Sequence, residues 1–253
     1  MCRVSTTNAS HSYSRYHPRF APPAREEVPV ILCIGNVLSP DAIGRIRESL
    51  DTIEFRDGRE TAGWHARTVK RNTQADGRDE RVAALRGEVD AAIRDNGLFR
   101  MSARPRRVMP VMFSRYTDAM EYGSHVDDAV MNGPDGPVRT DVSFTLFLSE
   151  PEDYDGGELV TDTTAGEESY KLPAGSMVVY PSSTLHRVAP VTRGARLAAV
   201  GWAQSQVRDP AQREVLFDLD TARRRLFDQH GKTDEFDAVS RSLANLTRMW
   251  AEI

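Results

Sequence analysis

The chain has 253 residues, 40% of them hydrophobic, a formal net charge of −4 and two cysteines. Such a length can bury a sizeable core, and the acidic balance argues against nucleic acid or a membrane surface as the partner. Cys2 and Cys33 form no CxxC pair and no apolar run approaches the roughly 18 residues of a bilayer span, so a disulfide framework, a thiolate metal site and a membrane anchor are not expected and a cytoplasmic setting is.

Residues 1–29 are polar, rich in Ser and Pro, and lack an apolar stretch of the kind a secretory signal needs. They are read as a disordered extension. "VILCIGNVLS" (30–39) predicts a short strand and a turn. Ser39 followed by Pro40 predicts a helix N-cap with Pro at the first position, and Ile43, Ile46, Leu50 and Ile53 then recur at helical spacing. Residues 56–78 contain Gly58, Gly63 and Gly77 and read as loop with short strands. Val82, Leu85, Val89 and Ile93 mark a second amphipathic helix, ended by Asn96-Gly97.

After Phe99 the pattern becomes strand-like. "RRVMPVMFSRY" (106–116) reads as a strand. "TDVSFTLFLSE" (140–150) alternates, with Val142, Phe144, Leu146 and Leu148 on one face and Ser143, Thr145 and Phe147 on the other. "YDGGEL" (154–159) is a Gly-rich turn, and "GSMVVYP" (175–181) and "ARLAAVGWAQS" (195–205) are further strands. Short strands at this spacing predict a sandwich or barrel. Beyond Pro210, Val215, Leu219, Ala222 and Leu226 form one helical stripe. Phe236, Val239, Leu243, Leu246, Trp250 and Ile253 form another, so residues 207–253 predict a helical hairpin packed on the β-core.

The chemistry concentrates in "YGSHVDDAV". His125 and Asp127, two apart on an extended segment, point to the same side and can offer an imidazole nitrogen and a carboxylate oxygen to one ion. His186 follows the 175–181 strand and supplies a third ligand. Two His and one carboxylate form the facial triad that leaves open positions on Fe(II). Arg196, ten residues on, shares a strand face with Ala198, Val200 and Trp202. On an inward face a lone guanidinium needs an anion, and the distal carboxylate of 2-oxoglutarate fits. Arg115 and Arg193 are the next candidates for that anchor. Tyr116 is a candidate hydrogen-bond donor to the same carboxylate.

The segments "VKRNTQ", "SRYTDAMEYGSHVDDAV", "RTDVSFTLFLSEPEDYDGGELV", "KLPAGSMVVYPSSTLHRVAPVTRGARLAAVGWAQS" and "RMWAEI", in order from about Val30 to the last residue, resemble the bacterial PKHD-type hydroxylases. The resemblance implies a mainly β protein with flanking helices. Its double-stranded β-helix (jelly-roll) core, at about residues 100–206, would lie within a dioxygenase domain at 30–206. It implies Fe(II) on His125, Asp127 and His186, 2-oxoglutarate on Arg196, L-ascorbate as a reductant, O2 as co-reactant, and a link to iron homeostasis. Arg71 departs from the family pattern, which has Asn there; if that loop lines the substrate cleft, substrate choice is affected. Two other readings stay open at this point: a non-catalytic jelly-roll sensor of iron or 2-oxoglutarate, and a cupin-like zinc enzyme. Neither the substrate nor the oligomeric state is readable from the residues.

Overall fold

The computed structural model describes residues 31–252; the extension read at residues 1–29 lies outside them. In chain order the strands are β1 (Leu32–Ile34), β2 (Phe55–Asp57), β3 (Lys70–Arg71), β4 (Thr73–Ala75), β5 (Pro105–Val108), β6 (Met112–Tyr116), β7 (Glu121–His125), β8 (Val130–Gly133), β9 (Gly136–Arg139), β10 (Val142–Phe147), β11 (Tyr154–Gly156), β12 (Leu159–Thr163), β13 (Gly166–Tyr170), β14 (Met177–Pro181), β15 (Leu185–Val188), β16 (Val191–Gly194) and β17 (Arg196–Ser205). The α-helices are α1 (Pro40–Asp51), α2 (Glu80–Asp95), α3 (Gly97–Ala103), α4 (Pro210–His230) and α5 (Asp234–Trp250).

Most of the strands build two antiparallel sheets, and β8-β9 and β11-β16 form two separate two-stranded ribbons. The larger runs β1-β14-β10-β17-β6-β4-β2, with β5 also on β17, and the smaller runs β13-β12-β15-β7-β3. The chain passes from β6 in the first to β7 in the second, returns to β10, crosses to β12 and β13, and returns to β14. It then crosses to β15 and comes back to β17. Such alternation between facing sheets is the double-stranded β-helix, or jelly-roll, that the family resemblance implies, and it narrows the sandwich or barrel that the strand pattern predicts.

One face of the larger sheet is apolar. Val142, Phe144 and Leu146 of β10 pack with Ile43, Ile46 and Leu50 of α1 and with Val82, Val89 and Ile93 of α2 in one buried cluster. Burying each such side chain contributes about 1.5–3 kcal/mol. Ser39 caps α1 by accepting from the backbone N–H of Ala42 at 3.3 Å, as its sequence predicts. The other face of β10, bearing Ser143 and Thr145, looks into the space between the sheets.

Three details differ from the sequence reading. Asn96 closes α2 but also caps a further helix, α3, by accepting from the N–H of Phe99 at 3.0 Å; the seven residues of α3 are too few to show a period. The predicted strand at 106–116 is two strands, β5 and β6, interrupted around Pro110. In α4 the buried face is Arg213, Leu216 and Asp220, whereas Val215 is exposed. That face is set by polar anchoring: Arg213 donates to the carbonyls of Val207 (3.0 Å), Arg208 (2.7 Å) and Asp141 (3.3 Å). The α5 stripe holds as far as Trp250, with Leu243 packing on Leu216 and Val207 beside Leu246 and Trp250; Ile253 lies outside the described residues.

Candidate active site

A cavity of about 400 Å³ opens between the two sheets. His125 ends β7 and His186 lies on β15, directly across the ladder from it. Asp127 follows two residues after His125, its carboxylate 4.0 Å from His186 Nε2. The donor atoms of His125, Asp127 and His186 all lie within 4.8 Å of one another, close enough to share one ion.

Neighbouring groups fix how each donor points. His125 Nδ1 lies 2.8 Å from the carbonyl of Gly123, and His186 Nδ1 lies 3.0 Å from the carbonyl of Thr184. A carbonyl only accepts, so each Nδ1 carries the proton and each Nε2 is left as a lone-pair donor. Burial, and then the adjacent His186 imidazole, push His125 down to about 4, so its ring stays neutral at physiological pH. The Tyr122 ring stacks on His125 at 3.6 Å between centroids. Ser143 Oγ donates to Asp127 Oδ2 at 2.6 Å and lies 2.7 Å from Ser182 Oγ, which holds the carboxylate in one rotamer.

Arg196 begins β17 and is only 1% exposed. Its guanidinium lies between the rings of Tyr116 (5.2 Å) and Phe147 (5.3 Å). All three of its nitrogens are buried without a hydrogen-bond partner, an arrangement that calls for an anion. Gly157, at φ +68°, makes room for the arginine stem: a Cβ there would stand 3.0 Å from Arg196 Cδ. Tyr116 sits opposite Arg196 in the β6–β17 ladder and lines the cavity; burial raises its phenol above the usual value. Arg115 and Arg193 are engaged elsewhere. Arg115 donates to the carbonyl of Leu50 at 3.0 Å, and Arg193 pairs with Asp155 at 2.7 Å.

The sequence reading missed several cavity residues. The region from Thr61 to Gln74 forms one wall, with Lys70, Asn72 and Gln74 facing inward. Arg71, between them in the strand alternation, is exposed and pairs with Glu121, so the departure there lies outside the cavity wall. Ser143 was legible as facing away from the apolar core, but its hold on Asp127 was not. Tyr180, whose ring lies 5.1 Å from that of His186, had no sequence signal. No helix among the described residues is long and apolar enough to cross a membrane.

The 2OG-Fe(II) oxygenase superfamily profile matches residues 111–204, and the PKHD-type hydroxylase C-terminal domain profile matches residues 210–252. The chain is 52% identical over 223 residues to a PKHD-type hydroxylase of Synechococcus elongatus, a match covering 88% of this chain and 100% of that relative. It is 53% identical over 223 residues, with the same coverage, to a PKHD-type hydroxylase of Acaryochloris marina. Among solved structures, a Pseudomonas putida prolyl-4-hydroxylase is similar at 25% identity, with a TM-score of 0.47, over 70% of this chain and 93% of that one.

Proposed function

The chain belongs to the PKHD-type hydroxylases of the 2OG-Fe(II) oxygenase superfamily, and from that membership we propose that His125, Asp127 and His186 hold Fe(II) and that Arg196 anchors 2-oxoglutarate. The protein is a 2-oxoglutarate-dependent dioxygenase. The observation that carries the assignment of residues is the convergence of two buried imidazoles and a carboxylate on the cavity that also holds an unpartnered guanidinium.

Bound Fe(II) supplies the oxidation of a C–H bond by O2, coupled to the conversion of 2-oxoglutarate to succinate and CO2. The chain's own residues set the conditions. Gly123 and Thr184 hold the two imidazoles with Nε2 toward the cavity, and Ser143 holds the Asp127 carboxylate. Arg196 offers a fork to the distal carboxylate of the cosubstrate, flanked by the Tyr116 and Phe147 rings, which exclude water from the pair. Tyr116 offers its hydroxyl to the same group. L-Ascorbate serves as the reductant that keeps the metal ferrous. The dioxygenase domain proposed at 30–206 carries this site, and the proposed helical unit at 207–253, described through residue 252, lies beside it.

The test is succinate formation at limiting Fe(II). His125→Ala, Asp127→Ala and His186→Ala should each abolish it while keeping a cooperative melting transition. If His186→Ala forms succinate at the wild-type rate, the triad assignment is wrong.

A further inference from the structure

The wall formed by β3 and β4 carries a second positive charge that nothing so far described uses. Lys70 is 5% exposed and lines the cavity. Among the described residues no carboxylate forms an ion pair with it. Its ammonium donates to Thr61 Oγ1 at 3.2 Å and lies 5.1 Å from the centroid of the Tyr122 ring. Thr61 in turn donates to Gln74 Oε1 at 2.7 Å, so the hydroxyl that Lys70 meets is already oriented. Two residues on, Asn72 is 4% exposed and lines the same cavity; its carboxamide lies near the Tyr116 hydroxyl but makes no hydrogen bond of ordinary geometry.

A buried ammonium with one neutral acceptor, beside an unpartnered buried amide, is costly unless a ligand completes it. The charge balance of the cavity indicates which ligand. The buried charged side chains that line it are Lys70 and Arg196 against the Asp127 carboxylate; Asp128 also lines it but is exposed, so solvent screens its charge. Ferrous iron and dianionic 2-oxoglutarate cancel each other. With both bound the surplus of one positive charge persists, and Arg196 is already matched by the cosubstrate.

We propose that Lys70, assisted by Asn72, is the anion subsite for the primary substrate, and that this substrate carries a carboxylate. One ammonium and one amide suit a monoanion; a phosphate dianion would overshoot the surplus. The inference rests on the dioxygenase reading of the same cavity and names the substrate class for it. The cation–π contact with Tyr122 gives Lys70 a second, purely structural use, and the experiment separates the two.

The probes are N-acetyl-L-leucine, N-acetyl-L-proline and N-acetyl-L-lysine, each compared with its primary amide. Each is titrated into the anaerobic protein loaded with Fe(II) and 2-oxoglutarate, and the perturbation of the metal-to-ligand charge-transfer band is followed. The expected result is that wild type binds at least one acid on the order of tenfold more tightly than its amide. Lys70→Met should erase that preference, leave 2-oxoglutarate affinity as in wild type, and melt no lower in the metal-free state. Lys70→Gln, the second variant, should behave alike. Three results overturn the proposal: acids and amides binding equally to wild type, no acid binding at all, or the preference surviving in both variants, whether or not they melt lower. If Lys70→Met weakens 2-oxoglutarate instead, Lys70 belongs to the cosubstrate site. If wild type itself fails to bind 2-oxoglutarate, the dioxygenase reading of the cavity falls, and this inference with it.

Discussion

Replacing Arg196 with Met should separate cosubstrate binding from both metal binding and stability. Met keeps an unbranched apolar stem where the guanidinium now lies between the Tyr116 and Phe147 rings. In the unliganded chain all three guanidinium nitrogens are buried without partners, so the substitution removes an uncompensated charge. The metal-free variant should therefore melt no lower than wild type. With 2-oxoglutarate the balance reverses. Removing one partner of a buried ion pair costs about 3–5 kcal/mol, and a site open to cosubstrate entry falls at the low end, about 3 kcal/mol. That is on the order of a hundredfold weaker binding. The His125, Asp127 and His186 donors are untouched, so Fe(II) affinity should not change. Arg196→Lys should restore only part of the binding, because the planar fork is lost. The assay is titration of 2-oxoglutarate into the anaerobic Fe(II) protein, read at the charge-transfer band, with thermal melting of the metal-free forms alongside. Binding by Arg196→Met within about threefold of wild type would refute the anchor, since a lost pair of this kind shifts affinity far more.

Ser143→Ala should free the Asp127 carboxylate, lowering Fe(II) affinity or turnover by roughly 10–100-fold, with Asp127 still present; equilibrium dialysis of Fe(II) and succinate release measure the two. Gly157→Ala places a Cβ 3.0 Å from Arg196 Cδ at a positive φ, and should cost about 1 kcal/mol or more in urea denaturation while also weakening 2-oxoglutarate binding. Burial pushes the Lys70 ammonium down to about 8 from its ordinary 10.5. The unfolded chain therefore binds more protons than the folded one between those values, so stability should rise with pH across that window, by up to about 3 kcal/mol, and be lost again as pH falls through about 8. Metal-free Lys70→Met, compared with wild type by urea denaturation from pH 7 to 10.5, should lack that rise.

The cluster of His125, Asp127 and His186 was legible because its signal is local. His125 and Asp127 show the alternation of one extended segment, Arg196 lies on the strand that the apolar pattern of 195–205 predicts, and His186 follows the strand predicted at 175–181, on a further strand, β15, that carries no pattern of its own. The helices α1, α2 and α5 were legible for the same reason. The residues that surround the donors were not, because distant pairing delivers them. Lys70 reaches the cavity through the match of β3 with β7, at Lys70↔Tyr122, and nothing near Lys70 in sequence encodes that partner. The face of α4 was misread because its buried positions include Arg213 and Asp220, held by backbone carbonyls and by Arg223, and hydrophobic periodicity does not register such anchors.

The direct opposition of His125 and His186 across one rung of the β7–β15 ladder bears on how the chain finds its fold. A slip of one residue between these strands would turn one imidazole to the opposite face, because side chains alternate along a strand. The ion-binding site therefore exists only in the correct register, and its two histidines come from well-separated parts of the chain. Closing so long a loop is slow, and mispaired sheets are the natural competitors along the way. A metal that binds only the matched arrangement stabilises it by mass action and leaves every slipped one unrewarded. On the proposed assignment, Fe(II) present during refolding should raise the yield of correctly paired chains, which refolding with and without the metal would measure.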